Sequence, residues 1–241
     1  MHRPRTSRIR LHRRGFTLVE LLTVVAVVGA LAAIMIPVVG QVRMAAHRAQ
    51  CSSNMRQIGV ALLAYAGEHR GLLPPTTHTT ATMSDGRHES WIYHLAPYLG
   101  DVDAVRVCPA DNEARQKRIR ETDGLTSYSL NDIVFDPEDG MPAYNGVNLI
   151  PRPGSTMILF NVSDDRQIRR GWDHAHCAGW TNWFALLADV EVDRHRRGDR
   201  ATDRMDGSAN YLFADGHVET IKAREIKRRV DAGENPGAVT L

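Results

Sequence analysis

Gly15-Phe-Thr-Leu-Val-Glu-Leu-Leu-Thr-Val-Val-Ala-Val-Val-Gly-Ala-Leu-Ala-Ala-Ile-Met-Ile-Pro-Val-Val39 is the stretch that decides the architecture. The 24 residues from Phe16 to Val39 contain no Lys, Arg or Asp and one acid, Glu20. As a helix they measure about 36 Å, enough to cross a hydrocarbon core of about 30 Å. Ahead of them, residues 1–15 carry Arg3, Arg5, Arg8, Arg10, Arg13 and Arg14 and no acid. That asymmetry holds the N-terminal side in the cytoplasm and sends the rest of the chain across the membrane. The pattern predicts a basic leader over 1–15, a transmembrane helix over 16–39, an outer continuation of that helix over 40–70 and an α+β globular domain over 71–241.

Glu20 sets this stretch apart from a plain anchor. A carboxylate in an apolar helix costs about 2.5 to 3.5 kcal/mol at the bilayer centre and marks a functional position. Arg14-Gly-Phe-Thr-Leu-Val-Glu20 resembles the processing site of type IV prepilins and type II secretion pseudopilins. The resemblance implies a prepilin peptidase that cuts after Gly15 and methylates the new terminus, Phe16. It also implies that Glu20 pairs with the terminal amine of a neighbouring subunit, a partner that makes a charge in lipid physically reasonable. Three plainer readings compete. A secretory signal peptide shares the basic start and has a small-residue site at Ala30-Leu-Ala32, but its apolar region usually ends within about 15 residues. Arg13-Arg14 has the look of a twin-arginine signal, which leaves Glu20 unexplained. An uncleaved anchor would let Glu20 snorkel to the interface.

Downstream, Pro37 removes one backbone donor and is expected to bend the helix without ending it. Met55, Ile58, Leu62 and Tyr65 then recur at helical spacing, an apolar stripe suited to packing on a domain. Gly71 and Pro74-Pro75 stop the helix. Cys51-Ser-Ser-Asn-Met-Arg-Gln-Ile-Gly59, Tyr65 and Leu73-Pro-Pro75 are similar to the post-membrane helix of planctomycete-type pseudopilin-like proteins. Cys108-Pro-Ala-Asp111 and Ser127–Asn131 resemble further motifs of those proteins, in the same order. Ala209–Ile221 reads as a β-hairpin around Asp215-Gly216, a pair that supplies positive φ at a tight turn. It resembles their C-terminal signature as well, except that Met205 stands where the signature has histidine. The resemblance implies a long N-terminal helix, membrane-spanning half plus outer half, packed on a C-terminal antiparallel β-sheet in a pilin-like fold.

The remaining segments are read from pattern alone. Ser90–Gly100 is expected as a short amphipathic helix, Val105–Asp111 as a strand ended by Pro109, 112–121 as a solvated helix or loop, and Ser127–Asn131 and Thr156–Phe160 as strands. Thr76–Thr82, Ser84–Arg87 and Asp136–Pro153 read as loops and turns, Lys222–Val230 as a basic solvated helix, and Gly233–Leu241 as a frayed tail.

With 241 residues, 43% hydrophobic and 24% charged, the chain suffices for one helix and one domain with a real core. Losing the six leader arginines takes the formal charge from +2 to −4, so nucleic acid is not an expected partner. Cys51, Cys108 and Cys177 form no C-x-x-C pattern, and one disulfide or three thiols remain equally open. His174, His176 and Cys177 lack a fourth ligand for a closed metal site. Asp189, Glu191, Asp193, Asp199, Asp203 and Asp206 invite a calcium reading. The arginines interleaved with them favour self-compensating surface charge, and no cofactor or metal is expected. Nor is a hydrolase, metalloprotease or phosphate-loop motif present, so an enzyme is not expected.

The resemblance therefore implies a pseudopilin-like subunit of a periplasmic pseudopilus for type II secretion. Its expected partners are the prepilin peptidase/methyltransferase, other pseudopilin subunits and inner-membrane lipid. It would be a single-pass inner-membrane protein, N-terminus cytoplasmic and C-terminal domain periplasmic. A surface type IV pilin-like filament or adhesin subunit, and a membrane-tethered or secreted binding domain, are the alternatives.

Overall fold

Helical propensity and the absence of any stop before Gly67 produce one helix, α1, over Leu18–Glu68, 51 residues that pass Pro37 without a break. A computed structural model of the chain describes residues 16–76, 90–136, 144–164, 173–196, 198 and 200–239. The leader 1–15, the Ser84–Arg87 turn, most of the 76–82 loop and residues 137–143 of the 136–153 loop lie outside them. The chain divides into two compact units, 1–42 and 43–241.

In the first unit α1 is apolar all round: Leu18, Leu22, Val25 and Ile36 are each more than 60% exposed. Among the described residues no protein group covers them, and the segment is long and apolar enough to cross a membrane.

The second unit is a five-stranded sheet with α1 on one face. Its strands are β1 (Tyr128–Asn131), β2 (Met157–Asn161), β3 (His174–Ala175), β4 (Ser208–Phe213) and β5 (Val218–Lys222), in the order β3-β1-β2-β4-β5. The pairs β1–β2, β2–β4 and β4–β5 are antiparallel; β3 joins β1 in parallel, so the sheet is mixed. Cys51, Met55, Ile58 and Leu62 of α1 are fully buried with Leu130, Leu159 and Leu212. On the opposite face Phe160, Tyr211 and Phe213 pack with α6 (Trp183–Asp189) and α7 (Ala223–Asp231), through Leu186, Ile226 and Val230. Two covered faces explain why β1, β2 and β4 are buried along their length.

At the β4–β5 turn Gly216 takes φ +90°, the conformation the Asp-Gly pair foretold. Helix α1 comes so close to this turn that a Cβ on Gly59 would stand 2.8 Å from Leu212 Cδ1. Glycine at 59 permits that approach.

Short helices fill the long connections. Trp91–His94 forms α2, burying Trp91 and Ile92, and a 3-10 turn follows at Ala96–Tyr98. The expected strand at Val105–Asp111 is absent. Val102–Val105 is instead a helical turn, α3, capped by the Asp101 carboxylate, which accepts the Ala104 N–H at 3.0 Å. The next residue, Arg106, is 2% exposed, and its Nη1 donates to the carbonyls of Ile119 at 2.6 Å, Thr122 at 3.1 Å and Leu125 at 2.8 Å. It thereby satisfies orphan carbonyls at the end of α4 (Glu113–Glu121). A further short helix, α5, spans Asp132–Phe135.

The expected frayed tail is docked through residues 235–237. Asn131 Nδ2 donates to Gly237 O at 2.7 Å, and Asn235 Nδ2 to Cys177 O at 2.8 Å. A Cβ on Gly237 would lie 2.6 Å from Cys177 Cβ. Gly237→Ala is therefore expected to lower stability by about 1–3 kcal/mol through overpacking. Urea titration of the full chain in detergent checks this, and an unchanged midpoint would mean the tail is not held there.

Candidate functional site

The N-terminal end of α1 is built by a reciprocal cap. Thr17 Oγ1 accepts the Glu20 N–H at 3.2 Å, while the Glu20 carboxylate accepts the Thr17 N–H at 2.8 Å and its hydroxyl at 2.7 Å. This is a capping box, with Thr17 at the cap and Glu20 three residues on. Sequence reasoning gave Glu20 a partner in another subunit and missed this one, although Thr-x-x-Glu ahead of an apolar run is its signature. The carboxylate thus lies against the first residues of the helix, one residue along the chain from the nitrogen that cleavage after Gly15 would free. Phe16 is 75% exposed. Gly15 lies outside the described residues.

The acidic segment 189–206 is compensated as expected, with Asp203 and Asp206 exposed and Asp199 outside the described residues, but its centre is not surface charge. Glu191, Asp193, Arg194 and Arg204 are all buried. A bridge between Val162 and Val190 draws the segment to the end of β2, where Glu191 N donates to Asn161 O at 2.9 Å. Arg194 Nη1 then lies 2.9 Å from Asp111 Oδ1 and 2.7 Å from Asp164 Oδ1, and its Nη2 donates to Val162 O at 2.7 Å. Arg204 reaches Glu191 at 2.6 Å and Asp193 at 2.8 Å. Asp111 also accepts the Ser127 hydroxyl. Guanidinium groups occupy the oxygens a calcium ion would need, so the donor set does not suit that ion.

Burial pushes the Glu191 carboxyl up from its ordinary 4.5 to about 7, against the pull of Arg194. The native state then holds this proton more tightly than the unfolded chain does. Stability attributable to Glu191 falls as pH rises from about 4.5 to about 7 and is level above that. Glu191→Gln should flatten this limb of the stability-versus-pH curve. Superimposable slopes for variant and parent would contradict the assignment.

His174 and His176 meet edge to face with ring centroids 5.0 Å apart, but with Cys177 they form no three-ligand group among the described residues. His174 Nδ1 meets Asp173 Oδ1 at 3.2 Å, His176 is half exposed beside Asp132, and the Cys177 N–H donates to Asp132 Oδ1 at 2.8 Å. The structure instead brings together Cys51, Cys108 and His195, which no sequence spacing signals. Asp215 serves the turn: its Oδ1 accepts the His217 N–H at 3.0 Å.

Comparison with known families finds two matches. Residues 10–36 match the family described as "Prokaryotic N-terminal methylation motif", and residues 40–112 match the family described as "Protein of unknown function (DUF1559)". Neither the curated proteins nor the solved structures give a match.

Proposed function

We propose that this chain, which is prepilin- and pseudopilin-like, is matured by a prepilin peptidase/methyltransferase and assembled as a subunit of a periplasmic pseudopilus that serves type II protein secretion. One observation carries the reading. The methylation motif over 10–36 coincides with an uncovered apolar helix whose first turn holds Glu20. A 51-residue helix explains itself if its first half sits in lipid and later among other subunits, where apolar packing holds the bundle.

In the proposed sequence of events, cleavage after Gly15 removes the six leader arginines and exposes the amine of Phe16, which is then methylated. Each incoming subunit places that amine beside the Glu20 carboxylate of a neighbour. A cation and an anion that would each be costly in hydrocarbon neutralise one another, and the pair fixes the axial register. The protein is anchored once in the inner membrane, with residues 40–241 in the periplasm. Prepilin-like families are structural subunits, and the proposed role is assembly, not catalysis.

Mass spectrometry of the mature N-terminus, taken from membranes of cells that make the protein, tests this. The expected product begins at a methylated Phe16. A start near Ala33 would make it an ordinary secreted protein, and an intact Met1 a plain anchor.

A further inference from the structure

Three segments far apart in sequence meet in the core beside the sheet: Cys51 from α1, Cys108 from the turn after α3, and His195 from the loop between α6 and β4. One ligand atom from each lies within 4.8 Å of the other two. Both cysteines are fully buried and His195 is 5% exposed. His195 Nδ1 is buried and, among the described residues, has no hydrogen-bond partner. A buried ring nitrogen left without a partner is costly in a folded protein, and its presence beside two thiols asks for an electrophile between them.

We propose that Cys51, Cys108 and His195 form a binding site for a thiophilic d10 cation of the zinc class. In such a site Zn–S is about 2.3 Å and Zn–N about 2.0–2.1 Å, so the ligand atoms stand about 3.5–4 Å apart, a separation that the 4.8 Å limit on the three atoms accommodates. Two thiolates neutralise a dication, so the filled site adds no net charge to the core. The surroundings suit a thiolate ligand. Tyr128 Oη donates to Cys51 Sγ at 3.8 Å, and the Asn161 amide reaches the same sulfur with Nδ2 at 3.7 Å and Oδ1 at 3.9 Å. Asn161 Oδ1, 3.9 Å from the Cys51 sulfur, is a neutral oxygen that could supply a fourth ligand.

His195 Nε2 stands 3.3 Å from Asn210 Nδ2. The cation would tie α1 to two loops of the globular unit, a staple that stabilises the folded form by mass action.

The test uses the full chain in detergent, kept reduced with a phosphine. Bound metal is counted after loading with Zn2+, and Co2+ is then substituted as a spectroscopic probe. The expected result is one Zn2+ per chain and a Co2+ form with near-ultraviolet sulfur-to-cobalt charge transfer and the visible bands of tetrahedral cobalt. Cys51→Ser and His195→Gln should each abolish both, and Tyr128→Phe should weaken binding about 10-fold by removing an outer hydrogen bond. If those variants do not fold, the parent chain decides alone. A reduced, folded parent with no cobalt–sulfur band overturns the proposal. So does a Cys51–Cys108 disulfide in the protein as isolated, recovered as one cross-linked peptide.

Discussion

Arg194→Met is expected to unfold the globular unit or leave it barely stable, with a loss of about 3–5 kcal/mol. The reason is what stays behind. Arg194 bridges Asp111 and Asp164 and caps the Val162 carbonyl, at 2.9, 2.7 and 2.7 Å. Asp111 is buried, and burial already pushes its carboxyl up. Without the guanidinium, it must keep a charge with only Arg115 near it, or take up a proton in the core. Domains of this size are held by about 5–15 kcal/mol in all, so one such loss removes a large part of the margin. Chemical denaturation of the full chain in detergent, followed by near-ultraviolet circular dichroism, gives the number. Adding Asp111→Asn to Arg194→Met should recover part of it, because the stranded anion leaves with its partner. A loss under about 1 kcal/mol in the single variant would place these charges in water, as the sequence alone suggested.

The second large effect concerns assembly. Glu20→Ala should leave insertion and processing intact and strip subunits from the filament. An unpaired amine in hydrocarbon costs about 2.5–3.5 kcal/mol, equivalent to roughly 100-fold in the affinity of a subunit for its neighbours. The capping box complicates this test and also supplies its control. Removing Glu20 also removes half of the cap on α1, worth about 0.5–2 kcal/mol to the first turn. Thr17→Ala removes the hydroxyl half of the cap and keeps the carboxylate. Sedimented filament from cells carrying each variant separates the causes. Loss with Glu20→Ala alone assigns the acid to the subunit contact; equal loss in both would trace the defect to a frayed helix start.

How much can be read from sequence depends on how local the deciding physics is. The apolar helix over 16–39 depends only on its own residues. The stripe Met55, Ile58, Leu62 and Tyr65 declares its buried face by spacing, and Asp215-Gly216 declares its turn by backbone preference. Most of the misreadings involve a distant partner. Val105–Asp111 has the composition of a strand, but Asp101 winds the preceding residues into a helical turn and Arg106 is engaged by the carbonyls ending α4. The acidic loop's compensation was legible from alternating sign. Its burial was not, because that depends on Val190 meeting Val162. Cys51, Cys108 and His195 lie on three separate elements, so no ligand spacing exists to be found. Glu20 is the opposite case: its cap is local and legible in Thr-x-x-Glu, but the family resemblance pointed to a different partner.

Strand order has a consequence for how the protein is made. The sheet runs β3-β1-β2-β4-β5, so β2 is sandwiched between β1, laid down shortly before it, and β4, which begins only at Ser208. The side chain of Asn131 waits longer still, for the carbonyl of Gly237. A chain emerging N-terminus first would therefore present an open, apolar β2 edge from residue 161 until β4 arrives at Ser208, with no means of closing the core in between. Such an edge invites pairing with other chains. The globular unit would then fold late and all at once, which suits passage across a membrane as an unfolded thread. It would also leave a prematurely stopped chain recognisable to proteases by that open strand.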